Sequence, residues 1–177
     1  DAARYGYALA LDNNYEFQRA EDNLQILIKK NPTELLYKIA LAEVKMDEKN
    51  PQDALIIYQP LYQTHPNYYP LMIEYGDCLI ANKQYEPAEK LFRSYLNNHD
   101  DDTISYIYLA EAFSGRGQLA DAYLARARAF ALEHEWQRAI LQLEQAKKLP
   151  HLSENMRAIL DAKIKEFKGN YIQERKE

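Results

Sequence analysis

The segment Ala54-Leu55-Ile56-Ile57-Tyr58, closed by His65-Pro66-Asn67, is one copy of a pattern that returns every 34 residues. One period upstream stand Ala20, Leu24 and Pro32. One period downstream stand Ala88 and Phe92, with Asp100 in the place of the proline, and a fourth rung is Ala122, with Arg126 where an apolar side chain is expected. A second ladder with the same step lies twelve positions earlier: Ala8, Ala42, Gly76 and Ala110. Two ladders of short side chains sharing one period mark stacked helix-turn-helix units, because paired helices approach closely only where side chains are small.

Alanine, an apolar or aromatic residue four later and proline twelve later resembles the second half of the tetratricopeptide repeat (TPR). No tryptophan marks the first helices; Tyr106 is the nearest substitute. The resemblance implies an all-α chain, a TPR-type α-solenoid of antiparallel helix pairs with about ten helices wound as a right-handed superhelix.

Composition sets the outer limits. A chain of 177 residues that is 47% hydrophobic buries about 70% of its unfolded surface and needs neither disulfide nor metal to fold. The single Cys78 has no internal partner and is expected as a buried thiol in a first helix. Acidic residues exceed basic ones by 27 to 22, and no Lys/Arg run exceeds two, so nucleic acid is a poor partner. No apolar stretch approaches the roughly 18 residues of a membrane span, and no secretory h-region opens the chain. Asp1 is not a methionine, which suggests a piece of a longer protein with any targeting signal upstream.

Five glycines and seven prolines suggest a nearly all-helical chain with short joints. The solenoid is expected over residues 1–169, in units of about 1–34, 35–68, 69–102 and 103–134. Asn50 and Pro51 suit the start of a helix, as do Pro70 and Pro87 in first turns. After Ala122 the period breaks: Ala139, Leu143 and Ala146 restart the second-helix pattern only 17 residues on. The helix ending near Leu132 is therefore expected to serve two units, giving an overlapping half-repeat over 119–150. Ser153 caps a final helix over 153–168, which covers the apolar end of the stack and stops at Gly169. Residues 170–177 are expected as a mobile tail.

Catalytic and metal-binding patterns fail on inspection. His134-Glu135-Trp136-Gln137-Arg138 begins like a zinc-protease helix, but Arg138 takes the second histidine's place and a guanidinium cannot ligate zinc. Gly115-Arg116-Gly117-Gln118-Leu119-Ala120 fits a dinucleotide fingerprint only formally, because it follows a helix and not a strand. Asp100-Asp101-Asp102 lacks the spacing of a calcium loop and suits the positive end of a helix. The expectation is no cofactor, no metal and no catalytic residue in this chain. Of the fifteen tyrosines, most, including Tyr58, Tyr75 and Tyr106, are expected to bury the ring and send the hydroxyl to water. Tyr5 foremost is expected to face a ligand.

In TPR proteins the first helices line the concave side. At the fifth place of each unit stand Tyr5, Ile39, Ile73 and Ile107, and one turn on stand Leu9, Glu43, Asp77 and Glu111. Four residues return to the same helix face, so an apolar row runs beside an acidic row. The expectation is a partner-binding groove for a protein or peptide segment with apolar anchors and some positive charge; the alternative is ordinary core beside ordinary solvated acids. The acids repel one another, and a basic partner, or Arg128, would relieve them. The lysine and asparagine clamp that some TPR proteins use for a C-terminal carboxylate is absent.

More local stretches, Ala3-Arg4-Tyr5-Gly6-Tyr7-Ala8-Leu9, the joint at Asp100 to Asp102, Ala125-Arg126-Ala127-Arg128-Ala129 through Ala139-Ile140, and the late Ala158 to Ala162-Lys163-Ile164 helix, resemble the C-terminal TPR region of BepA-like periplasmic zinc metalloproteases. That resemblance implies a non-catalytic accessory domain, with zinc held only by a protease domain upstream. It further implies a periplasmic location, a role in outer-membrane protein assembly and quality control, and contacts with the β-barrel assembly machinery or with its own protease domain. The repeat pattern alone equally fits a stand-alone scaffold or adaptor.

Overall fold

The computed structural model describes residues 1–175, which contain ten α-helices and no strand. Lys176 and Glu177, part of the expected tail, lie outside the described residues. The helices are α1 (Ala2–Asn13), α2 (Phe17–Lys30), α3 (Leu35–Asp47), α4 (Pro51–Thr64), α5 (Tyr69–Ala81), α6 (Tyr85–Leu96), α7 (Thr103–Gly115), α8 (Leu119–Leu132), α9 (Trp136–Lys147) and α10 (Glu154–Glu174). They fall into two compact units, the first ending at Asn82 and the second beginning at Lys83.

In the first unit, α1 pairs with α2 and α3 with α4, while α5 packs on α4 and α3. Ala8, Ala20 and Ala40 sit fully enclosed among Leu11, Leu24, Leu27 and Val44; Ala42 and Ala54 do the same beside Tyr58, Leu61 and Leu71. Both ladders therefore point inward, where a methyl group fills the space that a larger side chain would force open. Cys78 is a free, buried thiol.

The turns within helix pairs share one geometry that the sequence conceals. Tyr15, Lys49, Lys83 and Gly117, each 34 residues apart, all adopt the left-handed conformation, with φ of 62°, 64°, 58° and 76°. The next residue's N–H then reaches back five positions: Glu16 donates to the Leu11 carbonyl, Asn50 to that of Lys45 and Gln118 to that of Phe113, each at 2.9 Å. This 6→1 bond closes the helix end and reverses the chain. Glycine adopts this conformation without a Cβ penalty, yet only one of the four turns uses it. The joints between pairs differ: Glu34, Tyr68 and Asp102 donate to carbonyls three residues back, at 3.2 Å, before each following helix. Asp102 also caps α7 by accepting from Ser105 N–H at 2.8 Å, and Asn50 caps α4.

In the second unit the left-handed turn returns after only 17 residues, at His134 (φ 59°), with Glu135 donating to Phe130 at 2.9 Å. The joint between α8 and α9 is thus of the within-pair kind, and α8 packs on both α7 and α9. Ala122 lies five residues after one such turn, and Ala127 seven before the next; both are buried. One helix carries both ladders. The core here continues through Leu143, Leu160, Ile164 and Phe167.

Two expectations need correcting or extending. Gly169 does not end the last helix, which runs on to Glu174. Its final turn is held by the α8–α9 joint: Glu174 accepts from Trp136 Nε1–H and pairs with His134, and Gln137 donates to the Tyr171 hydroxyl at 2.8 Å. Those bonds outweigh the roughly 1 kcal/mol cost of glycine in a helix. Gly115 has a second role besides ending α7. A Cβ there would overlap the Tyr85 ring, so the aromatic side chain of α6 lies directly on the backbone.

Two substitutions test this packing. Ala54→Leu should cost roughly 1 to 3 kcal/mol by overpacking, read as a lower urea midpoint. Gly115→Ala should destabilise the protein in the wild-type background, and much less when Tyr85 is already alanine, in a double-mutant cycle of thermal melts.

Candidate functional site

The eight residues expected to line a groove divide between the two units. In the first, Tyr5 is half-buried on α1 with its ring 5.5 Å from that of Tyr37, and Leu9 is half-buried at the edge of the same cluster. Ile39 and Ile73 are 6% and 9% exposed and pack as core. Glu43 on α3 and Asp77 on α5 are half-buried. In the second unit, Ile107 stands 44% exposed on α7, and Glu111 on the same helix is exposed. Only Tyr5, Leu9, Ile107 and the carboxylates thus leave surface for a partner.

Glu43 and Asp77 do not stand alone. Burial raises the Glu43 carboxyl, and Asp12 and Asp47 add to the shift. Burial raises Asp77 as well. The largest effect falls on Glu74, a residue the register did not single out: burial, with Glu43, Asp77 and Asp47, pushes its carboxyl up to about 7. Asp12 is raised by burial and then by Asp47. Five carboxylates from α1, α3 and α5 therefore share one environment. Asp47 lies four residues after Glu43, Asp77 three after Glu74 and Asp12 three after Leu9. Spacings of three and four return each pair to one face of its helix.

Tyr58 on α4 lies beneath these acids, and here the structure corrects the expectation that its hydroxyl reaches water. The side chain is 0% exposed and its oxygen has no hydrogen-bond partner. Burial, followed by Glu74 and Glu43, pushes the pKa of its hydroxyl far up and keeps it neutral. Tyr75 and Tyr106 are half-buried, as expected of an aromatic ring between core and solvent. Among the described residues no group of three or more His, Cys, Asp or Glu is arranged to hold a metal ion.

The second unit has a cavity of about 400 Å³ whose lining includes Tyr106, Leu109, Phe113 and Phe167 beside Arg93 and Arg128. Its cations are answered locally. Arg93 stacks 4.9 Å from the Phe113 ring and bonds Glu89 at 2.8 Å, and Arg128 lies 3.9 Å from Asp100. Arg128 is thus occupied near the α6–α7 joint.

Residues 45–112 match the tetratricopeptide repeat family. The chain is 28% identical over 161 residues to the putative beta-barrel assembly-enhancing protease of Vibrio cholerae serotype O1, covering 91% of this chain and 33% of that protein. It is 23% identical over 167 residues to the beta-barrel assembly-enhancing protease of Yersinia pestis, covering 94% and 34%. The chain thus spans about a third of the length of these curated relatives. Among solved structures it resembles MamA, residues 41 to the end, from Desulfovibrio magneticus RS-1, with a TM-score of 0.69, 16% identity and coverage of 96% and 95%. It also resembles a thermophilic TPR protein of Thermus thermophilus, with a TM-score of 0.55, 12% identity and coverage of 91% and 97%. These likenesses establish the fold as a TPR-type α-solenoid of antiparallel helix pairs.

The acidic face makes stability depend on pH. An unfolded glutamate titrates near roughly 4.3, whereas folded Glu74 titrates at about 7. Between those values the folded protein holds a proton that the unfolded chain releases, so stability falls as pH rises through the interval. Glu74→Gln should therefore stabilise by roughly 1 kcal/mol at pH 8, after discounting for solvent screening, and by little at pH 4. Thermal melts at the two pH values check this.

Proposed function

We propose that this tetratricopeptide-repeat chain is the non-catalytic, protein-binding part of a beta-barrel assembly-enhancing protease. It acts in the periplasm on outer-membrane protein assembly and quality control. Likeness to two proteins of that name, over more than nine-tenths of this chain, supports the assignment. The catalytic zinc belongs to a protease domain outside this sequence, and this chain contributes the surface that holds a polypeptide.

The observation that carries a binding role is the face of α1, α3 and α5. Half-buried carboxylates at Glu43, Glu74 and Asp77 adjoin apolar surface at Tyr5 and Leu9, and no lysine or arginine among the described residues forms an ion pair with them. A segment offering apolar anchors and positive charge complements both features. The partner is a component of the β-barrel assembly machinery or the protease domain of the same enzyme. Ile107 and Glu111, on α7 of the second unit, are binding residues in their own right.

The test places a photoreactive amino acid at Tyr5 or Ile107 of the whole protease in cells and identifies the crosslinked proteins by mass spectrometry. Crosslinks to the assembly machinery or to the protease domain are expected. Reversing Glu43 and Glu111 to lysine should reduce them several-fold without changing helicity; unreduced crosslinks would remove the groove from the account.

A further inference from the structure

We infer that the carboxylates gathered by α1, α3 and α5 form a subsite for one basic side chain, arginine or lysine, of the bound segment, with the Tyr58 hydroxyl at its floor. This rests on the protein-binding role proposed above and specifies what that face recognises.

The buried carboxylates elsewhere in the chain supply the contrast. Glu21 and Glu89, the two most enclosed, both have cations in place: Lys45 pairs with Glu21, and Arg93 and Arg116 with Glu89. A carboxylate withdrawn from water is expected to be paired or to take up a proton. Asp12, Glu43, Glu74 and Asp77 have no such cation among the described residues, and the charged groups that act on Asp12, Glu43 and Glu74 are other carboxylates. The fold completes its other buried ion pairs and leaves this one open.

Two buried polar atoms point the same way. The Tyr58 oxygen, on a side chain with 0% exposure, has no hydrogen-bond partner and lies within the field of Glu74 and Glu43. Asp12 Oδ1 is also enclosed without a partner. A neutral phenol can accept as well as donate, carboxylate oxygens accept, and a guanidinium brings five N–H donors in one plane. A metal ion fits less well, because no three of these groups share a coordination geometry.

Entry of the cation is coupled to proton release. Glu74 faces Glu43 and Asp47 on α3, Asp77 on its own helix and Tyr58 on α4, and Cys78 also lies close to Tyr58. A cation among these groups favours the ionised form of Glu74, so Glu74 gives up its proton as the basic side chain arrives. Binding is then stronger above pH 7 than below it.

The test uses three fluorescein-labelled dodecapeptides, alternating leucine with arginine, with glutamine or with glutamate. Each is titrated into the full chain and followed by fluorescence anisotropy at pH 8 and pH 6. The arginine peptide should bind about tenfold tighter than the glutamine peptide at pH 8, and this preference should shrink several-fold at pH 6. The glutamate peptide should not bind. Glu74→Gln and Tyr58→Phe should each reduce the preference for arginine, with circular dichroism reporting an intact fold. Independently of any variant, the ¹³C-carboxyl titration of Glu74 should move to lower pH in the presence of the arginine peptide. Equal affinity for the arginine and glutamine peptides would overturn the cation subsite while leaving an apolar groove. Failure of all three to bind would overturn both. Displacement of the arginine peptide by millimolar calcium chloride, but not by sodium chloride of equal ionic strength, would assign the acids to a divalent ion and overturn the subsite too.

Discussion

Close approach of helices at alanine governs this architecture. Two helices meet at short distance only where no side chain intervenes, and the chain supplies that condition twice per pair, at Ala8 and Ala20, then at Ala42 and Ala54. The larger apolar residues, such as Leu24 and Tyr58, then fill the space around each contact. The left-handed turn follows from the same constraint: helices that must touch along their length need a reversal too short for an ordinary loop, and the 6→1 hydrogen bond provides it.

The acids divide into two populations with opposite physics. Glu21 and Glu89 are more enclosed than Glu74, yet each holds lysine or arginine and contributes to a closed network. Asp12, Glu43, Glu74 and Asp77 hold none among the described residues. Their mutual repulsion is a standing cost, moderated by proton uptake at Glu74, and a structural role alone would have been met with less strain by glutamine. The incoming basic side chain inferred above would offset that cost.

The fold was legible because its determinant, small residues at a fixed period, is local in sequence and tolerant of what surrounds it. Even the slip after Ala122 was visible, since Ala139 and Leu143 repeat the same spacing. The turn geometry was not visible: Tyr15, Lys49 and Lys83 lack the glycine that usually signals positive φ, and their conformation is imposed by the helices on either side. Nor was the length of α10, because its hold on Trp136 and Gln137 links residues more than thirty positions apart. At the candidate site the register found Glu43 and Asp77 but placed Ile39 and Ile73 with them, although both pack inward. A row read from one position per unit does not resolve how far each helix is rotated. Glu74 and the stranded hydroxyl of Tyr58 emerge only once three helices are brought together.

The doubled duty of α8 limits how such a protein can grow. A helix with one free flank accepts another pair, and duplication of a 34-residue gene segment then lengthens the array in register. α8 meets α9 through a turn of the within-pair kind, whereas α2 and α4 meet the next helix through a between-pair joint. A 34-residue unit inserted after Gly117 would therefore meet a different joint, so duplication keeps its register only ahead of α7.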